Sequence, residues 1–163
     1  MDDSGRGRSA LEFSEQLGYI VDNTGWMPRL NGRVLGLILV SDEPLSQADL
    51  AERLQTSSGA ISTAIRVLLE KGLLEHVSGP LSRRKYFRVP SSAWFAIHED
   101  SLRTVHRYQE IAERALESLE AGGTVEGNLN RMRDYFARVE QCYREAYPTR
   151  AASGNVYPVD GGA

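Results

Sequence analysis

Features that would assign this chain to several common classes of protein are scarce or missing. Cys142 is the only cysteine, so no disulfide can form within the chain. The most apolar run, Val34 to Val40, is far shorter than the roughly 20 residues that a membrane-spanning helix needs. No stretch has the pattern of a secretory signal peptide. These absences predict a cytoplasmic protein that makes no contact with a membrane.

Sequence motifs for catalysis and for cofactor binding are missing as well. The chain has no P-loop, no G-x-G-x-x-G and no arrangement of Ser, His and acidic residues typical of a catalytic site. Among the three histidines, His98 and His106 lie roughly 12 Å apart along a helix, too far to share one metal ion. The sequence therefore predicts no enzyme activity, no metal and no cofactor.

The charged residues that are present are unevenly distributed. The composition is globular, with 41% apolar and 25% charged residues, and the net charge is -3. Residues 27–90 hold nine Lys and Arg against six acidic residues, whereas the rest of the chain holds ten against sixteen. Within residues 57–90, six basic residues accompany only Glu70 and Glu75. This pattern indicates a positively charged surface on an otherwise acidic protein.

Helical periodicity predicts elements on both sides of this basic segment. Residues 1–8 and 148–163 are rich in Gly, Ser, Asp and Ala, and we expect disordered tails there. Residues 9–26 hold a first helix that begins at Ser9, because Ser9 and Glu12 fit a capping box. Residues 91–147 hold two helices separated by Gly122 and Gly123. The last of them carries a heptad seam typical of helix pairing: Leu129, Met132, Phe136, Val139, Tyr143 and Ala146.

The central segment, residues 27–90, has the pattern of a winged helix-turn-helix. A buried helix runs from Pro28 to about Val40. Ser46 and Asp49 form a capping box that opens a short helix, and Ser57 caps a second helix that ends at Gly72. Strand-like segments at 73–77 and 85–89 then predict a hairpin, the wing. The predicted fold class is mainly α with a small β-hairpin wing, flanked by N- and C-terminal dimerisation helices.

The second helix of the pair is the candidate DNA-reading element. Its apolar residues turn inward (Ile61, Ala64, Ile65 and Leu68), which leaves small polar residues and one arginine facing outward. Such residues suit the major groove, where hydroxyl groups and Arg can bond base edges and phosphates. The predicted DNA-binding residues here are Ser57, Ser58, Gly59, Ser62, Thr63 and Arg66. A solvated helix face without DNA contact is the alternative.

The wing adds three basic residues to this prediction. Arg83, Arg84 and Lys85 follow the hairpin turn, where they would contact phosphates or enter the minor groove. Neighbouring strand residues point to opposite faces, so the choice between Arg83 and Arg84 stays open. A solvated charge run is the alternative for this cluster.

Three segments carry a resemblance to a known family. Residues 28–36 (PRLNGRVLG), 41–46 (SDEPLS) and 57–66 (SSGAISTAIR) resemble the MarR-type regulators, and more narrowly the GbsR branch. The resemblance implies a homodimer formed by the N- and C-terminal helices, a pseudo-palindromic site on double-stranded DNA and a small ligand that tunes binding. Gln55-Thr56 departs from the Gly-Val that such proteins often have in the turn between the two helices.

The predicted function is therefore a sequence-specific transcription regulator, a repressor by the family resemblance. The rival function is a winged-helix module that binds another protein and no specific DNA. For most of Trp26, Trp94, Tyr108 and Tyr135 we expect core or dimer contacts, with an effector pocket that includes some of them as the alternative. For Cys142 we expect a buried apolar environment, with an exposed redox-active thiol as the alternative.

Overall fold

The computed structural model describes residues 3–79, 84–119 and 122–146. The chain divides into two compact units, Met1–Ala93 and Trp94–Ala163. Within the described residues six helices accompany one three-stranded antiparallel sheet, which confirms the predicted mainly α fold with a small β-hairpin wing. None of the described helices combines the length and the apolar character of a membrane span.

The first two helices, α1 (Asp3–Asn23) and α2 (Arg29–Leu39), approach each other through small residues. A Cβ atom added at Gly32 would lie 2.7 Å from the Cα atom of Gly18. Ser14 is fully buried, and its hydroxyl donates to the carbonyl oxygen of Arg33 at 2.8 Å. The two backbones are therefore nearly in contact, which leaves no room for larger side chains at this crossing.

The helix boundaries correct one prediction and confirm another. α1 begins at Asp3, so the predicted start at Ser9 and the predicted tail over residues 3–8 were wrong. Ser9 acts as an interior helical residue, because its hydroxyl donates to the carbonyl oxygen of Gly5 and caps nothing. α2 follows Pro28 within one residue of the prediction and buries seven of its eleven residues. Residues 148–163 lie outside the described residues.

The helix-turn-helix consists of α3 (Gln47–Arg53) and α4 (Ser58–Glu70). The predicted capping box is present: the Asp49 amide donates to the Ser46 hydroxyl oxygen, and the Ser46 amide donates to Asp49. The predicted Ser57 cap is present too, with the Ala60 amide as donor. Both helices therefore start where their capping residues predict.

The two helices end in the same backbone motif, built from different residues. After α4, Gly72 has a φ of 70°, and the Leu73 amide donates to the Leu68 carbonyl. After α3, Gln55 takes the equivalent position with a φ of 49°, and the Thr56 amide donates to the Ala51 carbonyl. Gln55 is the only non-glycine residue with positive φ in the described part of the chain. The turn thus keeps the geometry that glycine favours, in a residue for which that geometry is strained.

The wing pairs with a short strand that the sequence patterns did not predict. β1 (Leu45–Ser46) precedes α3, and β2 (Glu75–Val77) and β3 (Tyr86–Arg88) form the hairpin. The strand order is β1-β3-β2, with Ser46 opposite Tyr86 and Val77 opposite the same tyrosine. Two residues are too few to show an alternating pattern, which is why β1 escaped prediction. This pairing ties the wing to the start of α3.

The core of the first unit gathers side chains from α2, α3, α4 and the segment that precedes β2. Among its fully buried residues are Val34, Leu37, Leu50, Ile61, Leu68 and Leu73. At about 25 cal/mol for each Å² of buried apolar surface, these side chains are the main source of stability for the unit. The helix-turn-helix is therefore fixed to α2 from behind.

The second unit contains α5 (Ala93–Ser118), apart from its first residue, and α6 (Gly123–Ala146). Tyr108 stacks on Phe136 at 4.5 Å between ring centroids, and His98 lies 5.6 Å from Tyr143. Residues earlier in α5 meet residues later in α6, so the two helices are antiparallel. α6 starts five residues before the predicted 128, and no residue of its heptad seam is buried within this chain.

Candidate nucleic-acid interface

The candidate interface is built on the two faces of α4. Its inward face is buried as predicted, with Ile61, Ala64, Ile65 and Leu68 at most 4% exposed. Every residue predicted to face outward is exposed: Ser57, Ser58, Gly59, Ser62, Thr63 and Arg66. The buried face fixes the helix, so the exposed face forms a rigid ridge of small polar groups that ends in one guanidinium.

The hydroxyl groups of this ridge have different local partners. Ser57 accepts from the Ala60 amide at 3.3 Å, so its hydroxyl is part of the helix cap. Thr63 donates to the carbonyl oxygen of Gly59 at 3.2 Å, a bond typical of threonine within a helix. Ser62 makes no hydrogen bond to any described residue. These partners indicate that Ser57 is chiefly structural and that Ser62 is the most available of the three for an incoming ligand.

Arg66 completes the ridge. Its side chain is exposed, and within the described ranges it forms neither a hydrogen bond nor an ion pair. An unpaired guanidinium presents five N–H donors in a fork that matches phosphate oxygens and the guanine O6/N7 edge. Arg66 can therefore bind either partner without first breaking a bond within the protein.

The wing places further basic residues beside the helix-turn-helix. Arg84 and Lys85 are exposed, whereas Arg83 lies outside the described residues. The hydrogen bond from Ser46 is the main cause that lowers the pKa of Asp49, and the charge of Arg84 contributes to the same shift. Arg84 is therefore near enough to the start of α3 for its charge to act there. The pairing of β1 with β3 also places the wing beside the start of α3.

The remaining basic residue of the hairpin has a structural partner. Arg88 Nε lies 2.6 Å from a carboxylate oxygen of Glu75, across the β2–β3 pair. Glu75 also neutralises this charge locally. Arg88 thus differs from Arg84 and Lys85, which have no ion pair among the described residues.

Gln47, which the sequence prediction missed, lies at the same surface. It is the first residue of α3, and its side-chain nitrogen donates to the hydroxyl and to the carbonyl oxygen of Ser58. A hydrogen bond between two helices has no sequence signature, so only the fold could show it. The capping residue Ser46 next to Gln47 was the one available signal that this position lies at a helix start.

The sequence also did not predict the role of Arg33, a residue of α2 that binds the turn between α3 and α4. Its Nη2 donates to the carbonyl oxygen of Leu54 at 3.2 Å, and its Nε lies 2.5 Å from Glu15 Oε1. Arg29 binds the other oxygen of the same carboxylate at 2.9 Å. Leu54 directly precedes the strained Gln55, so Arg33 connects that turn to α1.

The four aromatic candidates for an effector pocket occupy different surroundings. Lys71 Nζ lies 6.0 Å from the ring centroid of Trp26 in the first unit. In the second unit Tyr108 and Tyr135 both contact Phe136, and Trp94 is half exposed. A groove of about 410 Å³ between α1 and α2 is lined by Glu15, Gln16, Tyr19, Ile20 and Arg29, and by none of the four aromatics. The predicted aromatic pocket stays a prediction.

Cys142 is exposed, so the buried environment predicted for it was wrong. The heptad seam of α6 passes through Val139 and Tyr143, and Cys142 lies to one side of it. Exposure follows from this position, because the residues of the seam itself are only partly covered in this chain.

Known proteins resemble this chain in both sequence and fold. The sequence model of the MarR family matches residues 27–85, which coincide with the segment that holds the helix-turn-helix and the wing. The HTH-type transcriptional regulator MmpR5 of Mycobacterium tuberculosis is 34% identical over 148 residues, 90% of this chain and 89% of the relative. A crystal structure of a transcriptional regulator is 35% identical, with a TM-score of 0.69, over 85% of this chain and 95% of that one. This chain belongs to the MarR family, whose members are winged-helix transcription regulators and not enzymes.

Proposed function

We propose that this chain is a repressor that binds a pseudo-palindromic DNA operator as a homodimer and that a small ligand tunes its affinity. Each subunit places the exposed face of α4 in a major groove, while the wing contacts the phosphate backbone or the adjacent minor groove. Within the family, the segments 28–36, 41–46 and 57–66 favour a place near the GbsR branch.

The exposed face of α4 is the observation that carries this proposal. Small side chains at Ser58, Gly59 and Ser62 let the helix backbone approach base edges closely, and Arg66 follows two turns from the helix start. The opposite face is locked into the core, so the helix enters the groove without reordering. Arg84 and Lys85 supply positive charge on the wing, where binding of phosphates releases counterions.

Apolar side chains left exposed on the helices of the second unit support the homodimer. Ile111 is 50% exposed, Val125 49% and Tyr135 56%, and Leu119, which directly follows α5, is 63% exposed. Helices with large apolar residues on their outer surface are typical of proteins that bury that surface against a partner. A second copy would bring a second α4, which is what a two-fold symmetric operator requires.

Ligand tuning and repression rest on the family resemblance. A ligand that prefers one spacing between the two α4 helices would shift the population toward or away from the DNA-binding form. A repressor that covers its operator needs no contact with the transcription machinery, which suits a chain with one DNA-binding segment.

Fluorescence anisotropy with duplex DNA at several salt concentrations tests the proposed function. The enriched sequence is the one that the wild-type protein selects from a random duplex library. Arg66→Ala should weaken binding to it by roughly 5- to 150-fold, the value of one good base contact. Arg84→Ala should weaken binding to all sequences alike and reduce the slope of log K against log salt by about 1. Arg114→Ala, which removes an exposed arginine from α5, is the matched control and should change neither.

Two outcomes would contradict the proposal. The assignment of α4 as the helix that contacts bases is contradicted if Arg66→Ala and Arg114→Ala bind the enriched duplex with the same affinity. The rival function, a module for protein binding, would gain support if the wild-type protein bound random and enriched duplexes only weakly and without salt dependence.

A further inference from the structure

A polar contact joins the beginnings of α3 and α4. The side-chain nitrogen of Gln47 lies 2.7 Å from the hydroxyl oxygen of Ser58 and 2.9 Å from its carbonyl oxygen. Ser58 is exposed and Gln47 is half-buried, so the pair is at the surface of the helix-turn-helix. The contact therefore lies where an incoming duplex would meet both helices at once.

The chemistry of Ser58 fixes the orientation of the Gln47 amide. A backbone carbonyl oxygen only accepts, so the amide nitrogen must face Ser58 and the amide oxygen must face away. Both acceptors within hydrogen-bond distance of this nitrogen belong to Ser58. Gln47 Oε1 therefore keeps its acceptor capacity, and no described residue donates to it.

Ser58 contributes the complementary group. Its hydroxyl oxygen accepts from Gln47, which leaves the hydroxyl hydrogen available to donate in another direction. The pair thus presents one acceptor, Gln47 Oε1, and one donor, the Ser58 hydroxyl. Neither residue presents both groups by itself in this arrangement.

The backbone that carries Gln47 is rigid. Ser46, which precedes it, is 2% exposed and belongs both to the capping box of α3 and to strand β1. β1 pairs with β3 of the wing, so Gln47 is held between the wing and α4. Little conformational freedom would be lost when such a side chain binds, which favours selective recognition.

The pattern of one acceptor beside one donor matches adenine in the major groove. Adenine offers the N6 amino group as a donor next to N7 as an acceptor, whereas guanine offers two acceptors, O6 and N7. Guanine would place its O6 against Gln47 Oε1, and the two acceptors would repel each other. We propose that Gln47 and Ser58 together read one adenine in each half-site of the operator, an inference that rests on the proposed function.

The division of labour between the two residues distinguishes this arrangement from an ordinary glutamine contact. A glutamine that reads adenine alone uses its own oxygen and nitrogen. Here the amide nitrogen binds Ser58, so in the proposed contact N6 of the adenine donates to Gln47 Oε1 and N7 accepts from the Ser58 hydroxyl. Each contact is therefore sensitive to a different residue and to a different atom of the base.

Base analogues test both contacts on the wild-type protein. The duplex is the sequence that the protein enriches from a random library, with each enriched adenine replaced in turn. Purine lacks the N6 amino group, and 7-deazaadenine lacks the N7 acceptor. At one adenine in each half-site, each replacement should weaken binding several-fold, and loss of both contacts should cost roughly 5- to 150-fold.

Variants then assign the contacts to residues. Gln47→Met should bind the purine duplex and the adenine duplex equally well, while it stays sensitive to 7-deazaadenine. Ser58→Ala should show the opposite pattern. Gln141→Met, an exposed glutamine on α6, is the matched control and should keep both sensitivities.

The outcomes separate this inference from the proposed function. If the wild-type protein enriches no sequence, the proposed function fails and the inference fails with it. If it enriches a sequence but tolerates both analogues at every adenine, only the inference is overturned. It is overturned also if Gln47→Met keeps its sensitivity to purine, because Gln47 then contacts no N6 group. The analogue experiment uses only the wild-type protein, so it tests the inference even if a variant folds poorly.

Discussion

Replacing Gly32 by alanine should destabilise the first unit, because the crossing of α1 and α2 has no space for a methyl group. A Cβ atom at this position would overlap Val21 Cγ2 and would lie 2.7 Å from Gly18 Cα and 2.9 Å from the Leu17 carbonyl oxygen. Two of these three atoms belong to the backbone of α1 and cannot swing aside. The helices must therefore separate before the methyl group fits.

The expected magnitude follows from two opposing effects. Overpacking of this kind costs typically about 1–3 kcal/mol, and backbone contacts place Gly32→Ala in the upper part of that range. Alanine recovers about 0.5–1 kcal/mol from its better helix propensity. The net loss in the free energy of unfolding should be about 2 kcal/mol, which lowers the melting temperature by roughly 4–8 °C for a chain of this size.

Urea unfolding at one fixed protein concentration measures the effect, since the midpoint of an oligomer depends on concentration. Gly7→Ala is the control: Gly7 lies on α1, the helix against which Gly32 of α2 packs, and a Cβ atom there would meet nothing within 4 Å. It should leave the stability unchanged or raise it slightly. Equal stability of Gly32→Ala and the wild type would refute the close approach of the two helices.

Three further changes test the helix-turn-helix. Ser46→Ala should cost about 1 kcal/mol of stability, because it removes the α3 cap. The hydrogen bond from Ser46 also lowers the pKa of Asp49. The stability that this bond contributes is therefore present above about pH 4 and is lost as the pH falls through the lowered pKa. Urea unfolding at several acidic pH values should therefore show a smaller loss of stability with falling pH in the variant than in the wild type. Gln55→Gly should raise stability by up to about 1 kcal/mol, since glycine adopts positive φ without strain. Arg33→Met should cost about 1–3 kcal/mol, because the Leu54 carbonyl loses a charged donor.

Each of these changes has an outcome that would count against it. If Ser46→Ala and the wild type lost stability equally steeply with falling pH, the bond from Ser46 to Asp49 would not contribute to the pH dependence of stability. Thermal melting that shows Gln55→Gly to be less stable than the wild type would contradict strain at this turn; Gly72→Gln, the reverse change after α4, should be clearly destabilising. An Arg33→Met protein with wild-type urea stability would show that the bond to the turn contributes nothing.

The elements that could be predicted from the sequence are those with a local chemical cause. Ser46 and Ser57 mark helix starts because their side chains bind amides three residues ahead, and Ile61 with Leu68 marks the buried face by spacing alone. These signals were sufficient for the helix-turn-helix and for the exposed ridge of α4, and the strand-like segments 73–77 and 85–89 were sufficient for the wing.

The features that escaped prediction depend on residues distant in the chain. The hydrogen bonds of Gln47 to Ser58 and of Arg33 to Leu54 span 11 and 21 positions, and no local pattern anticipates them. The start of α1 was misplaced because a serine followed by a glutamate at the third position also occurs inside helices. β1 was missed because its two residues gain their strand geometry only from β3.

Selection of bound sequences from a random duplex library, followed by footprinting of the enriched site, tests the central claim most directly. If two copies of α4 read DNA, wild-type protein will enrich two half-sites related by two-fold symmetry, with centres about 10–10.5 base pairs apart. The footprint will cover both major grooves on one face of the duplex. Enrichment of no sequence, or of one half-site without a symmetric partner, would contradict the claim that this chain is one half of a symmetric DNA reader.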